Sequence, residues 1–176
     1  MSIERTGHSK NNSGRLYFLV AAQSNKTSDD DAASIKYLFA LVEKKKSKLV
    51  IPMPALSEYL VGADLAGYEW VNTLSRRSSI ILAPFDLAAA QECAQLDRGA
   101  YRSGDKRDGQ EGAWQKIKID RQIAAISKSV GARLIITNDK GVRASATRAF
   151  IESKRIEDLD LPDSAKQLNI NLPEPE

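Results

Sequence analysis

The sequence predicts an α/β fold, with a mostly parallel sheet covered by helices on both faces. Three observations carry that prediction. Short apolar runs, at Leu49–Ile51, within SSIILAPF and at Leu134–Thr137, have the length of buried strands. Segments with helical periodicity lie between them and carry recognisable start and stop residues. Strand and helix alternate along the chain, the pattern of a parallel sheet with crossover helices.

Taken in order, residues 1–14, MSIERTGHSKNNSG, are polar and read as a terminal segment. Arg15–Gln23, RLYFLVAAQ, is apolar and reads as a helix, with a strand the alternative at this length. After the turn SNKTSDDD, a helix is expected from Asp30 to Lys46. Ser28 or Asp29 can cap it, and Ile35, Leu38, Phe39, Leu41 and Val42 form its inner stripe. Leu49–Ile51 is a strand stopped by Pro52 and Pro54, and PALSEYLVGA opens a helix with Pro54 near its first position. DLAGYEWVNTLSRR reads as a further helix. SSIILAPF holds the second apolar strand, stopped by Pro84, and Asp86 caps the helix DLAAAQECAQLDRGAYR. SGDKRDGQEG is a charged, glycine-bearing loop. Trp114–Val130 is a helix ended by Gly131, and Leu134–Thr137 is the third strand. KGVRASATRAF is a shorter helix, and RIEDLDLP adds an edge strand. The whole reads as one domain over residues 15–160, followed by a weakly ordered tail over 161–176.

Composition narrows the function classes. The chain of 176 residues is 42 % apolar and 28 % charged, values of a soluble globular domain with a sizeable core. No apolar run approaches the roughly 20 residues of a membrane span, and the N-terminus lacks the apolar segment of a secretory signal. Cys93 stands alone, so a disulfide framework is excluded and a reducing, cytoplasmic location is expected. With a single Cys and a single His8, a Cys/His zinc cage is excluded too, and any metal would be held by oxygen. A net charge of +3 permits nucleic-acid binding without requiring it.

Three carboxylates occupy matching places. Glu58 follows the strand LVIP, and Asp139 follows the strand LIIT. In open α/β sheets both places lie at the ligand crevice. Asp120 sits beside the apolar face Ile119, Ile123 and Ile126 of its helix, where a charge is costly unless it is paired or metal-bound. Converging acids repel, and a divalent cation removes that conflict while activating water and steadying an in-line displacement at phosphorus. Each acid also has a plainer explanation. Asp139 suits a helix cap, Glu58 a first-turn dipole partner, and Asp120 an ion pair with Lys116 or Lys118.

IDRQIAAISKSVGARLIITNDKGV, residues 119–142, resembles the C-terminal signature of PIN-domain nucleases: an Asp, Ile-Ala-Ala on a helix, Gly-Ala, an apolar strand and Thr-Asn-Asp. LVIPMPALSEYLVG, residues 49–62, resembles the family's second block, a strand and proline followed by a helix that carries a Glu. The resemblance runs from about residue 12 to residue 150. It implies a three-layer α/β/α sandwich with a central, mostly parallel sheet. It implies an acidic pocket for Mg²⁺ or Mn²⁺ and hydrolysis of phosphodiesters, usually RNA. Glu58, Asp120 and Asp139 would be the catalytic, metal-ligating acids, with Thr137 or Asn138 in support. Many small members are toxins of VapBC-type toxin–antitoxin pairs and many dimerise, so RNA, an antitoxin protein and a second copy of the chain are the partners it implies.

The family's first acid, which ends its first strand, has no clear counterpart. The stretch that fits begins at Asn12, with Asn11 the neighbouring register, and an asparagine brings a carbonyl but no charge. That departure keeps a second expectation open: a PIN-fold module that binds RNA or protein and has lost catalysis. Arg143, Lys116 and Lys118 are the basic residues placed to meet a substrate phosphate, and the SGDKRDGQEG loop before the Asp120 helix is expected to overhang the pocket. Trp70 and Trp114 read as core or interface residues, and Cys93 as a small packed side chain.

Overall fold

The computed structural model describes residues 17–20 and 29–159, and for 17–20 and 29–33 the backbone alone. Eleven elements follow one another in these residues: β1 (Tyr17–Val20), α1 (Asp29–Lys44), β2 (Lys48–Pro52), α2 (Met53–Val61), α3 (Leu65–Ser75), β3 (Ile80–Ala83), α4 (Leu87–Arg102), α5 (Trp114–Ser129), β4 (Leu134–Ile136), α6 (Lys140–Arg148) and β5 (Glu152–Lys154). The strands form one sheet in the order β3-β2-β1-β4-β5, and every neighbouring pair is parallel. No helix among the described residues is long and apolar enough to cross a membrane.

The helix boundaries follow local chemistry. Pro52 precedes α2, and a proline stands in its first positions, where the missing N–H is no loss. Asp86 caps α4 by accepting a hydrogen bond from Ala89 N at 2.9 Å, and Asp64 caps α3 through Gly67 N at the same distance. Gly131, at φ +73°, turns the chain out of α5 into the run that becomes β4.

Alternation along the strands feeds two apolar clusters. Val50 and Ile135 point into one, with Ala55, Ala89, Ile123, Ile126 and Val142. Leu49, Ile51 and Ile136 point into the other, with Leu38, Val42 and Leu74. Successive residues of a strand face opposite sides, so alternate side chains enter the two clusters. Each large aliphatic side chain sealed in these clusters contributes about 1.5–3 kcal/mol of burial free energy. The middle of α5 is enclosed around most of its circumference, since Ile117, Ile123, Ala124, Ala125 and Ile126 are all buried. This is why even Asp120 and Arg121 lie inside.

Two expectations are corrected. The run Arg15–Gln23 does not carry a helix at its centre. Tyr17–Val20 is β1, the middle strand of the sheet, paired with β2 through Phe18↔Leu49 and with β4 through Leu19↔Ile135. A run this short has no period that separates helix from strand, and pairing on both sides decides. The edge strand is Glu152–Lys154 and not RIEDLDLP. Pairing of Ile135 with Ser153 sets it, and Ile156 instead packs into the second cluster. The segments 1–14 and 161–176 lie outside the described residues.

Candidate functional site

The strand order reverses at β1, with β2 and β3 on one side and β4 and β5 on the other. In open α/β sheets the ligand crevice lies beyond the carboxyl ends of the strands at such a switch point. Glu58 lies on α2, which follows β2, and Asp139 lies between β4 and α6.

Asp139 is held from several directions. It is the N-cap of α6, and its Oδ1 accepts hydrogen bonds from Gly141 N at 2.7 Å and Val142 N at 3.1 Å. Its own N–H donates to Thr137 Oγ1 at 3.1 Å, and Thr137 is fully buried. Arg143 Nη1 donates to the carbonyls of Thr137 at 3.2 Å and Asn138 at 2.9 Å. Asn138 Oδ1 accepts from Ile156 N at 3.0 Å, tying the loop to the segment after β5. Thr137 and Asn138 therefore support Asp139 through the backbone, and Arg143 braces the same turn.

Asp120 reaches the same place from α5. It is 3 % exposed. Lys116, one turn earlier on α5, joins the two acids. Its Nζ lies 3.1 Å from Asp120 Oδ1, 3.3 Å from Asp120 Oδ2 and 2.7 Å from Asp139 Oδ2. The plainer explanations of Asp120 as an ion-pair partner and of Asp139 as a helix cap thus hold together, at one site. Burial pushes the Asp120 carboxyl up to about 6, with the charges of Asp139 and Glu58 adding to the rise and Lys116 opposing it. Burial also acts on Asp139, yet Lys116 and the amides of Val142 and Gly141 outweigh it and hold that carboxyl below the ordinary range. Burial likewise works against the Lys116 ammonium, but Asp139 and Asp120 overcome it and raise its pKa.

Gly141 completes the setting. A methyl added there would land on the Asp120 carboxylate, with Asp120 Cγ at 3.0 Å and Asp139 Oδ1 at 3.2 Å. Only a residue without a side chain lets α6 begin this close to α5.

The structure thus brings Asp120 and Asp139 onto one cation. Glu58 stays exposed on α2, near enough for its charge to be felt at Asp120 but outside the pair. Among the described residues, no group of three or more His, Cys, Asp or Glu side chains is arranged to hold a metal ion. The two aspartates themselves suit a hard divalent cation: they already share one cation, they offer oxygen only, and a bare glycine cradles them. Mg²⁺ commonly uses one or two carboxylates and completes its shell with water and substrate phosphate.

The other expected residues divide. Asn12 lies outside the described residues. The sequence directly after β1, Ala21-Ala22-Gln23, carries no carboxylate. Lys118 lies apart from the acids, with its Nζ 6.0 Å from the Trp114 ring centroid. The 103–113 loop is tied elsewhere. Arg121 donates to Lys106 O at 2.6 Å, and Arg148 in the last turn of α6 grips Asp108. Asp108 is therefore anchored at the end of α6 opposite Asp139. The loop is thus tied to α5 at Arg121 and to the last turn of α6 at Arg148. Sequence reasoning missed Gly141 and the double role of Lys116. The spacing of Lys116 to Asp120 announced half of that role.

No family model and no curated protein matches the sequence. Among solved structures, the chain is similar to one from the crystal structure of DNA bound VapBC from Salmonella typhimurium, at TM-score 0.51 and 19 % identity, over 80 % of this chain and 98 % of that one. At this identity the likeness concerns the fold: an α/β arrangement of short parallel strands shared with a chain of that complex.

Proposed function

We propose that the chain is a PIN-like, metal-dependent ribonuclease of α/β/α sandwich architecture, working as the toxin of a toxin–antitoxin pair in the cytoplasm. The observation that carries this reading is the convergence of Asp120 and Asp139 on a single cation at the switch point of the sheet. The fold likeness to VapBC supports the setting.

In this reading Asp120 and Asp139 hold Mg²⁺ or Mn²⁺, with Glu58 contributing from the far wall. The bound ion would supply an activated water and neutralise charge on the scissile phosphate. Gly141 lets the two carboxylates approach, and Thr137, Asn138 and Arg143 fix the turn that presents Asp139. The amino end of α6, capped by Asp139, adds the positive end of a helix dipole beside the phosphate. Lys116 and Arg143 line the approach, and Lys118, near Trp114, serves RNA farther along the surface. Met53, Val61, Leu65, Tyr68 and Trp70 expose an apolar surface on α2 and α3, which an antitoxin or a second copy would cover.

The test is cleavage of a mixed-sequence RNA with Mn²⁺, run beside Asp139→Asn. The expected outcome is Mn²⁺-dependent cleavage that falls by about a hundredfold or more in the variant. A second reading, a binding module without catalysis, is favoured by the lack of a carboxylate after β1. RNA retained without cleavage at any Mn²⁺ concentration would establish it and overturn the first.

A further inference from the structure

We propose that Lys116 is a tethered cation that occupies the divalent-ion position between Asp120 and Asp139, so that a metal enters only as the ammonium leaves. The inference rests on reading this pair as a cation site, and it concerns how that site is regulated.

The acids are enclosed or pinned, and the lysine is exposed. Asp120 is enclosed and lies against Gly141, where α5 and α6 meet. Asp139 is pinned by two amides of α6. The Lys116 side chain, by contrast, is 50 % exposed and stands in the first turn of α5, with a flexible stem and water beside it. Its ammonium touches both Asp120 oxygens and Asp139 Oδ2. Mg²⁺ needs carboxylate oxygens at about 2.0–2.1 Å. An ammonium nitrogen and such an ion cannot both use these oxygens, and two cations in that space would also repel. Removing the lysine charge takes away the cation that Asp120 and Asp139 share, which raises their demand for a metal.

The consequence is a guarded site. With the ammonium in place, half of the pair's charge is offset, its oxygens are engaged, and free metal binds weakly. An incoming phosphate offers the ammonium a second anion within reach of its stem, and the acids are released to the metal. Metal affinity and substrate then become coupled through one side chain.

The experiment is Mn²⁺ binding to the full chain, without RNA, followed by calorimetry for the unaltered protein and for Lys116→Gln. The expected result is a dissociation constant about tenfold or more lower in Lys116→Gln. Equal or weaker binding in the variant overturns the inference, as does an absence of Mn²⁺ binding by both proteins. Should Lys116→Gln fail to fold, lysine-selective NMR of the unaltered protein decides. Addition of Mg²⁺ should shift the Lys116 ammonium signal and leave that of Lys118 in place, whereas an unmoved Lys116 signal overturns the inference. Tighter Mn²⁺ binding without any RNA cleavage would sustain the inference and sink the ribonuclease reading. Cleavage without the affinity change would do the reverse.

Discussion

Asp120 and Arg121 are adjacent on α5, both are buried, and they are supported in opposite ways. Arg121 is 1 % exposed and saturated: Asp97 Oδ1 lies 2.7 Å from Nη1, the Lys106 carbonyl accepts from Nη2 at 2.6 Å, and the Trp114 ring centroid is 5.4 Å from the guanidinium carbon. Its partners come from α4, the 103–113 loop and its own helix, so the charge serves to join them. Asp120 depends on a half-exposed lysine and faces two other acids. A buried charge with permanent partners is part of the architecture. A buried charge with one half-exposed partner, left short of compensation, is the one that suits the cation site proposed above.

Breaking the saturated member should have the largest effect. Arg121→Met removes the guanidinium and leaves Asp97 and the Lys106 carbonyl without it, at an expected cost of about 3 kcal/mol or more. Chemical denaturation gives the loss, and limited proteolysis should find new cleavage within residues 103–113 as the loop detaches. A loss below about 1 kcal/mol would show that the loop and α4 hold without this clasp.

The opposite sign is expected at the neighbouring residue. The folded-state value for Asp120, about 6, lies above the ordinary 3.8, so the folded protein holds that proton more tightly than the unfolded chain. Ionised Asp120 therefore costs stability above pH 6, and the cost disappears as pH falls from about 6 toward 4. Asp139 acts oppositely, but its carboxyl is held low, so its contribution is lost only below that window. Metal-free protein should gain about 1 kcal/mol between pH 7 and pH 5, while Asp120→Asn should be flat over that range and more stable than the original at pH 7. Urea midpoints at the two pH values check this, and a variant that is weaker at pH 7 would place Asp120 with Arg121 among the architectural charges.

The smallest change in stability is expected at Gly141→Ala. Alanine favours the helix by about 1 kcal/mol, against a methyl that must push Asp120 aside, so net stability should move by about 1 kcal/mol or less. Mn²⁺ binding should nevertheless weaken by about tenfold, because the two carboxylates can no longer share one ion. Unchanged Mn²⁺ affinity in this variant would show that the close approach of α6 to α5 serves packing alone.

Much of this was legible in the sequence, for local reasons. Asp86 and Gly131 bound their helices as residue chemistry requires, and the runs after Lys48 and Arg133 are strands in which alternate side chains enter opposite clusters. Asp139 could be found because it follows an apolar strand, and Asp120 because it stands beside an isoleucine face. Long-range pairing supplied the rest. Nothing in YFLV distinguishes a strand from a helical turn until β2 and β4 lie on either side of it. Nothing in ESK suggests a strand at all until Leu134–Ile136 offers its edge. Lys116 shows the same division: its tie to Asp120 lies within one helix, whereas its tie to Asp139 spans 23 residues and needs the assembled fold.

The place of β1 has a consequence for the growing chain on the ribosome. Among the described strands this one is made first and meets β2 within a few dozen residues, but its second partner is not synthesised until Leu134–Ile136. Throughout that interval one edge of the future sheet offers unsatisfied N–H and C=O groups to whatever is nearby. A segment from another protein, or a chaperone, that can lie along this edge has its best opportunity during translation, before β4 closes it.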